Sequence, residues 1–337
     1  MKPAHLKGEV RQDKVTKEWV IFAPGRGLRP HDFKNISIPK PERPSYVHTC
    51  PFCSGNESRL EAILFESASF ENGGWQTRVV PNLYPALTNE GNGTRKMDGI
   101  YLSMDGFGSH EVVIDSPLHN ESIASMDAVH VRSLIDTYHA RYNVHHQDQR
   151  NQLILIFRNS GPRAGASMEH PHSQIVSAGF IPRWIRWRNF EAQRYFDELG
   201  RCVYCDILAY EGECGKRVIF EDGSFLSFIP YAAEVPFEVW ILPKRHHPSF
   251  GQITDAEKTD LAAALHFVMR RLAEKLNDPD YNYIIYSSSR YGNAPQLHWY
   301  LRVRPRLVTR AGFEIGSGMR INPSLPELDA AFLTDRG

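Results

Sequence analysis

The sequence predicts an α+β protein made of two fused repeats, each a mainly antiparallel sheet with one long helix packed on it. Three observations predict it. The chain carries two Cys-x-x-Cys pairs, "CPFC" (Cys50, Cys53) and "CVYC" (Cys202, Cys205). Each pair is followed by the same succession: a Glu-Val-x-Ile strand, a histidine, a helical stretch, a hydrophobic strand and a second histidine heading a further strand. The two histidines are almost equally far apart in the two halves, His119 to His170 and His246 to His298.

Taken in order, "SHEVVIDSPLHNES" gives the first strand, with Glu111, and then His119. Residues 126–147 have helical periodicity, and the histidine pair His145-His146 at their end suits the negative end of a helix dipole, which predicts a surface position. "NQLILIFRN" and "HPHSQIV" read as strands. "FIPRWIRWRNFEAQRYFDELGR", residues 180–201, lacks Gly/Ser linker character and predicts a helical connector; its aromatic and basic residues suit a packing or dimer surface. The second half repeats the scheme: "PFEVWILPKRHHPSF" with Glu238 and His246, a helix over 254–278 with an acidic start, then strands "YNYIIYSSS" and "HWYLRV". "ELDAAFLTDRG" predicts a short terminal helix. The boundaries expected are residues 1–180 for the first domain and 181–337 for the second.

Composition excludes several classes. Lys plus Arg equals Asp plus Glu at 39 each, so no net field draws nucleic acid or an acidic membrane. No run of 18 apolar residues predicts a membrane span. The start, "MKPAHLKGEVRQDK", has no apolar signal core, and a cytoplasmic location is expected. In that reducing compartment, paired cysteines favour metal binding over disulfides.

Zinc prefers tetrahedral Cys and His ligands, and four protein ligands leave no position for a reactive water. Two structural sites are therefore expected: Cys50, Cys53, His119 and His170, and Cys202, Cys205, His246 and His298, with His247 an alternative to His246. Zinc is expected in both, with iron as the alternative in one.

Aligning the repeats sets "HPHSQ" against "HWYLR". His170 then matches His298, whereas His172 matches Tyr300 and Gln174 matches Arg302. On one strand, residues 170, 172 and 174 would share a face. His172 is not needed to build the repeat, which makes it the candidate for chemistry in the first half alone. A neutral imidazole is a good nucleophile toward phosphorus, provided its other nitrogen is protonated and tied to an acceptor. Gln174 can donate to the phosphoryl oxygens. The upstream loop "NSGPRAGASMEH" adds Asn159, Gly161, Arg163, Gly165 and Ser167.

These motifs resemble the histidine triad superfamily and, within it, the galactose-1-phosphate uridylyltransferase family. The resemblance covers nearly the whole chain. It implies two fused histidine-triad-like repeats and a ping-pong exchange of a nucleoside monophosphate between a nucleotide sugar and a sugar 1-phosphate, through a covalent nucleotidyl-His172. The resemblance further implies Gln174, Asn159, Gly165 and Ser167 around the phosphate, Arg26 and Arg29 of "WVIFAPGRGLRP" approaching it, Asn82 of "NLYPAL" on the nucleoside, and Phe313 and Glu314 of "AGFEIGSGMRINP" on the sugar. A homodimer is implied, since the arginines of such enzymes reach a partner's site. The reaction expected first is UDP-glucose with galactose 1-phosphate, in galactose metabolism. Three departures bring in the ADP-glucose phosphorylase branch, which passes AMP to inorganic phosphate: Leu83 follows Asn82 where many bacterial uridylyltransferases have Asp, Val308 and Arg320 replace a lysine and a glutamine, and a Cys-x-x-Cys serves the second metal.

Overall fold

The computed structural model describes residues 8–26, 42–68, 74–288 and 294–336. In the first half the strands are β1 (Glu9–Gln12), β2 (Trp19–Phe22), β3 (Phe65–Ala68), β4 (Trp75–Pro81), β5 (Arg95–Asp98), β6 (Tyr101–Met104) and β7 (Gly108–Ile114). Helix α1 (Ala128–Gln147) follows, then β8 (Leu153–Ser160) and β9 (His172–Ala178). Helices α2 (Arg183–Leu199) and α3 (Val203–Cys214) lead into the second half. It holds β10 (Val218–Glu221), β11 (Phe225–Phe228), β12 (Val239–Pro243), α4 (Asp255–Leu276), β13 (Tyr281–Tyr286) and β14 (Tyr300–Pro305), and ends with α5 (Gly312–Ser317), β15 (Arg320–Asn322) and α6 (Pro326–Leu333).

Ten strands form one sheet in the order β10-β11-β12-β14-β13-β8-β9-β7-β4-β3. Every neighbouring pair is antiparallel. Read outward from the centre, the two halves are the same five-strand unit. They join where β8 meets β13, with Phe157 opposite Ile284 and Ser160 opposite Tyr281. The halves therefore share one hydrogen-bond ladder.

Helices α1 and α4 cover one face. Asp127 caps α1, accepting from His130 N–H at 2.7 Å. Thr254 and Glu257 form a reciprocal capping box on α4, worth about 1 kcal/mol. Beneath them lies the main core, where Val113, Ile156 and Ile175 of the first half meet Ile241, Ile285 and Leu301 of the second. Tyr138 of α1 donates into the sheet at Ser173 Oγ (2.5 Å) and also meets Tyr283 Oη. The opposite face carries two smaller clusters. One packs Val80, Val112 and Ile114 on Cys50, Phe52 and Cys53; the other packs Trp240, Leu242 and Tyr300 on Val203 and Tyr204.

Two sequence expectations are corrected. His145 is buried rather than at the surface: its Nε2 lies 3.1 Å from Glu111 Oε1 and its Nδ1 is 3.1 Å from Ser109 Oγ. Strand β7 supplies a carboxylate there that helical periodicity does not reveal. The second correction is that His170 lies outside strand β9, which begins at His172. Among the described residues, no helix is long and apolar enough to cross a membrane.

Candidate active site and metal clusters

The first Cys-x-x-Cys loop is held by hydrogen bonds between side chains and backbone. Asn56 Nδ2 donates to the carbonyls of Cys50 (2.7 Å) and Val47 (3.2 Å), and Val47 N–H donates to Cys53 Sγ (3.3 Å). Both thiols then face the two histidines. Cys50 Sγ is 3.6 Å from His170 Nδ1, Cys53 Sγ is 3.5 Å from His119 Nδ1 and 3.6 Å from His170 Nδ1, and the two Nδ1 atoms are 3.3 Å apart. A tetrahedral ion with bonds of about 2.0–2.1 Å to nitrogen and 2.3 Å to sulfur sets N···N edges near 3.3 Å and N···S edges near 3.5 Å. The donor set fits such an ion. His170 Nε2–H donates to the Ser116 carbonyl at 2.8 Å, which leaves the Nδ1 lone pair for the metal. Burial pushes the His170 pKa down to about 4, so the ring is neutral.

The second cluster gathers Cys202, Cys205, His246 and His298, whose ligand atoms all lie within 4.8 Å of one another. Cys205 Sγ is 3.3 Å from His246 Nδ1 and 3.7 Å from His298 Nδ1. His246 is the member; His247 is buried nearby, 3.4 Å from Gln252 Oε1. Cys202 is the N-cap of α3, a helix that the sequence reading did not anticipate. Hydrogen bonding from Cys205, and then from His246 and His298, holds the Cys202 thiol well below its usual pKa. Both clusters present four protein ligands, so a cation held there would brace the fold and have no open coordination position.

His172 sits where β9 starts, opposite Ile114 of β7. Its Nδ1–H donates to the His170 carbonyl at 2.8 Å. This single bond links the metal-facing residue to the candidate nucleophile and sets the tautomer, with the proton on Nδ1 and the lone pair on Nε2. Burial lowers the His172 pKa, opposed by that carbonyl and by Asp115. Behind the strand, Asp115 pairs with Arg158 and accepts from Ser173 Oγ at 3.0 Å.

Two cavities meet at His172. One, of about 520 Å³, is lined by Asn159, Gly161, Ser167, Glu169, His170 and His172. The other, of about 460 Å³, is walled by Phe52, Leu60, Asn82, Tyr84 and Gln174 together with His172 and Ser167. Asn159, Ser167, Asn82 and Gln174 are thus brought to His172. Gly165 ends the turn Pro162–Ala164 in a left-handed conformation, φ 82°, and does not line either cavity. Gly161 also has positive φ, 85°, and a Cβ there would fall 1.9 Å from Asp280 Oδ1; Asp280 in turn accepts the Arg163 N–H at 2.8 Å.

Other expected residues lie elsewhere. Glu314 lines a third cavity with Arg163, Arg304, Arg310 and Arg320, and Phe313 beside it is 54% exposed. Val308 lines that cavity as well. Phe313, Glu314 and Val308 do not line either cavity at His172. Arg26 closes the short turn Pro24–Arg26 after β2, and its side chain lies outside what the structure describes; Arg29 lies outside the described residues. β2 pairs in parallel with β15, so this turn and the sugar segment belong to the same small sheet.

In the second half the equivalent place is filled. Tyr300 is buried, with Arg188 of α2 donating to its Oη at 3.1 Å, and Arg302 is tied to Glu238 and Glu234. The sequence reading missed His110, whose Nε2 lies 2.7 Å from Gln174 Oε1. No local sequence signal marks it, since its other partners, Asn82 and Ala86, are brought near only by folding.

Residues 3–182 match the family model for the galactose-1-phosphate uridyl transferase N-terminal domain, and residues 188–311 match that for the C-terminal domain. The ADP-glucose phosphorylase of Arabidopsis thaliana is 39% identical over 325 residues, 95% of this chain and 90% of that protein. The galactose-1-phosphate uridylyltransferase of Thermotoga maritima is 28% identical over 330 residues, covering 95% of each. Among solved structures, an Arabidopsis thaliana ADP-glucose phosphorylase with bound ADP-glucose superposes with a TM-score of 0.82 at 34% identity over 98% of both chains. A repeated five-strand unit, two Cys-and-His clusters and a histidine at the junction of two cavities thus coincide with these matches, and the chain belongs to the galactose-1-phosphate uridylyltransferase family of nucleotidyltransferases.

Proposed function

We propose that this chain moves a nucleoside monophosphate through a covalent bond to His172, and that its reaction is adenylyl transfer from ADP-glucose to inorganic phosphate. The observation that carries the mechanism is the His172 Nδ1–H bond to the His170 carbonyl, which leaves Nε2 free to attack at the junction of the two cavities. In the first step the Nε2 lone pair forms a bond to the α-phosphorus, and the bond to the glucose 1-phosphate oxygen breaks, that oxygen leaving with the electron pair. In the second step a phosphate oxygen attacks the same phosphorus, the N–P bond breaks with its electrons returning to Nε2, and ADP departs. The apolar-walled cavity with Asn82 and Tyr84 suits the nucleoside, and the cavity with Asn159 and Ser167 suits the departing and arriving phosphates. Gln174 donates to the phosphoryl oxygens as charge builds.

The 39% identity to an ADP-glucose phosphorylase, against 28% to a uridylyltransferase, supports adenine over the uridylyl reaction expected from the motifs. Uridylyl transfer from UDP-glucose to galactose 1-phosphate is the second reading, supported by the family models. We further propose zinc in both clusters, with iron as the alternative in one, domain limits near residue 180, a cytoplasmic location, and a homodimer. In the dimer, the Glu314 cavity and the arginine turn of one copy serve the His172 of the other; the exposure of Phe313 and Ile315 supports such a contact.

Intact-mass measurement after exposure to each nucleotide sugar tests the reading. ADP-glucose is expected to add one adenylyl group, and inorganic phosphate to remove it as ADP. His172→Asn abolishes the adduct. Charging by UDP-glucose alone, discharged by galactose 1-phosphate, would establish the second reading instead.

A further inference from the structure

We propose that His110 is a positioning residue that fixes the side-chain amide of Gln174 with its NH2 group, not its oxygen, turned toward the phosphoryl group. The inference rests on the nucleotidyl-transfer reading above and extends it to a residue that does not line either cavity at His172.

The register sets up the contact. On β7 and β9, Val112 is opposite Gln174 and His110 is opposite Val176, so His110 and Gln174 are diagonal neighbours on one face of the sheet. His110 Nδ1 lies 3.2 Å from the backbone nitrogen of Ala86, whose N–H can only donate. Nδ1 is therefore the acceptor, and in the neutral ring Nε2 carries the proton. Two side chains lie beside that proton. Gln174 Oε1 is 2.7 Å from Nε2, and Asn82 Nδ2 is 3.1 Å away. Asn82 Oδ1 is already committed to the backbone N–H of Tyr84 at 2.9 Å, so Asn82 turns its NH2 group to the ring and has no acceptor to offer. Gln174 Oε1 takes the proton. Flipping the Gln174 amide would set NH2 against N–H, two donors with no acceptor between them.

Two main-chain N–H groups, those of Ala86 and Tyr84, fix the arrangement, and neither can reverse its polarity. The Ala86 anchor propagates one sense through His110 to Gln174, while the Tyr84 anchor keeps the Asn82 oxygen away from the ring, so that no second acceptor competes for the Nε2 proton. The amide that reaches the cavity beside His172 is thereby left with donors, and donors are what an oxygen gaining negative charge requires. Without His110, the amide of Gln174 turns freely and spends part of its time presenting oxygen to an anion.

Three variants and one spectrum test this. Removing a donor aimed at developing charge costs on the order of 10²-fold in rate, which is the expectation for Gln174→Ala in the first-step charging of His172. His110→Phe is expected to lower the charging rate about tenfold while the KM for the nucleotide sugar changes less than about threefold, because orientation is lost and the donor itself remains. The double variant is expected to match Gln174→Ala, since His110 acts only through that amide. His110→Gln, which restores an amide donor near the position of Nε2, is expected to recover most of the rate. A wild-type rate in His110→Phe, or losses that multiply in the double variant, would overturn the proposal. Independently of catalysis, ¹⁵N-histidine NMR of the full chain reads the ring directly: the resonances lost in His110→Phe are expected to be those of the Nε2–H tautomer, and the Nδ1–H tautomer would overturn the proposal. Absence of a wild-type adduct would instead sink the nucleotidyl-transfer reading, with the tautomer still deciding the inference.

Discussion

Arg158→Met tests the buried support behind His172, the proposed nucleophile. Asp115 is fully buried and Arg158 is 3% exposed, and the two are paired beside Ser173. For an ion pair at ordinary hydrogen-bonding separation and an effective dielectric near 20, the attraction is about 5 kcal/mol. Removing the cation leaves the carboxylate in place with the Ser173 hydroxyl as its nearest remaining donor. The expected cost is about 3–5 kcal/mol, because a buried charge without its partner cannot recover its hydration. At about 2.1 cal/mol/K per residue, 337 residues give an unfolding entropy near 0.7 kcal/mol/K, so 4 kcal/mol lowers Tm by about 6 °C. The assay is calorimetry of wild type, Arg158→Met and Asp115→Asn/Arg158→Met. The double variant carries no stranded charge and is expected to regain more than half of the lost Tm. Equal losses in the single and double variants would refute this, and would show that Arg158 contributes packing instead of charge compensation.

Three further perturbations have defined outcomes. Cys50→Ser is expected to reduce bound metal from two equivalents to one by mass spectrometry and to slow charging of His172, whereas Cys202→Ser loses one equivalent with a smaller effect on charging, because His170 belongs to the first cluster only. Gly161→Ala forces a side chain into the Asp280 carboxylate at positive φ, so a stability loss of about 1–3 kcal/mol and a higher KM for the nucleotide sugar are expected from urea unfolding and steady-state kinetics. Burial raises the Asp329 pKa from 3.8 to about 7, against hydrogen bonds from Ser324 Oγ and the Phe237 N–H. The native state therefore holds this proton more tightly than the unfolded chain. Its stabilisation is complete below pH 4, declines as pH rises toward 7, and reaches roughly 4 kcal/mol at full extent. Asp329→Asn is expected to flatten that slope in urea midpoints measured between pH 4.5 and 7.5.

The repeat was legible because metal ligands and strands impose spacing: Cys50 and Cys202, His119 and His246, His170 and His298 must recur in order to close two tetrahedra. His172 was legible by subtraction, since Tyr300 occupies the matching position. The joining of β8 to β13 was not legible, because both strands are buried runs of apolar residues that carry no mark of their neighbours. Nor was the burial of His145, whose partner Glu111 is distant in sequence. His110 looked like an ordinary strand residue; its role depends on Ala86 and Asn82, which only the folded loop brings near. The segment around Phe313 and Glu314 was recognisable as a motif, yet its place beside a basic cavity depends on the pairing of β15 with β2.

The central seam between β8 and β13 has one more implication. A fragment stopping near residue 180 would keep all four members of its own Cys-and-His cluster and His172, but β8 would become a bare margin of backbone donors and acceptors. Two such fragments could zip margin to margin in the manner now used by the unlike halves. The product would be a symmetric particle with two copies of His172 and its cavities, where the fused chain has one and fills the matching place with Tyr300 and Arg188.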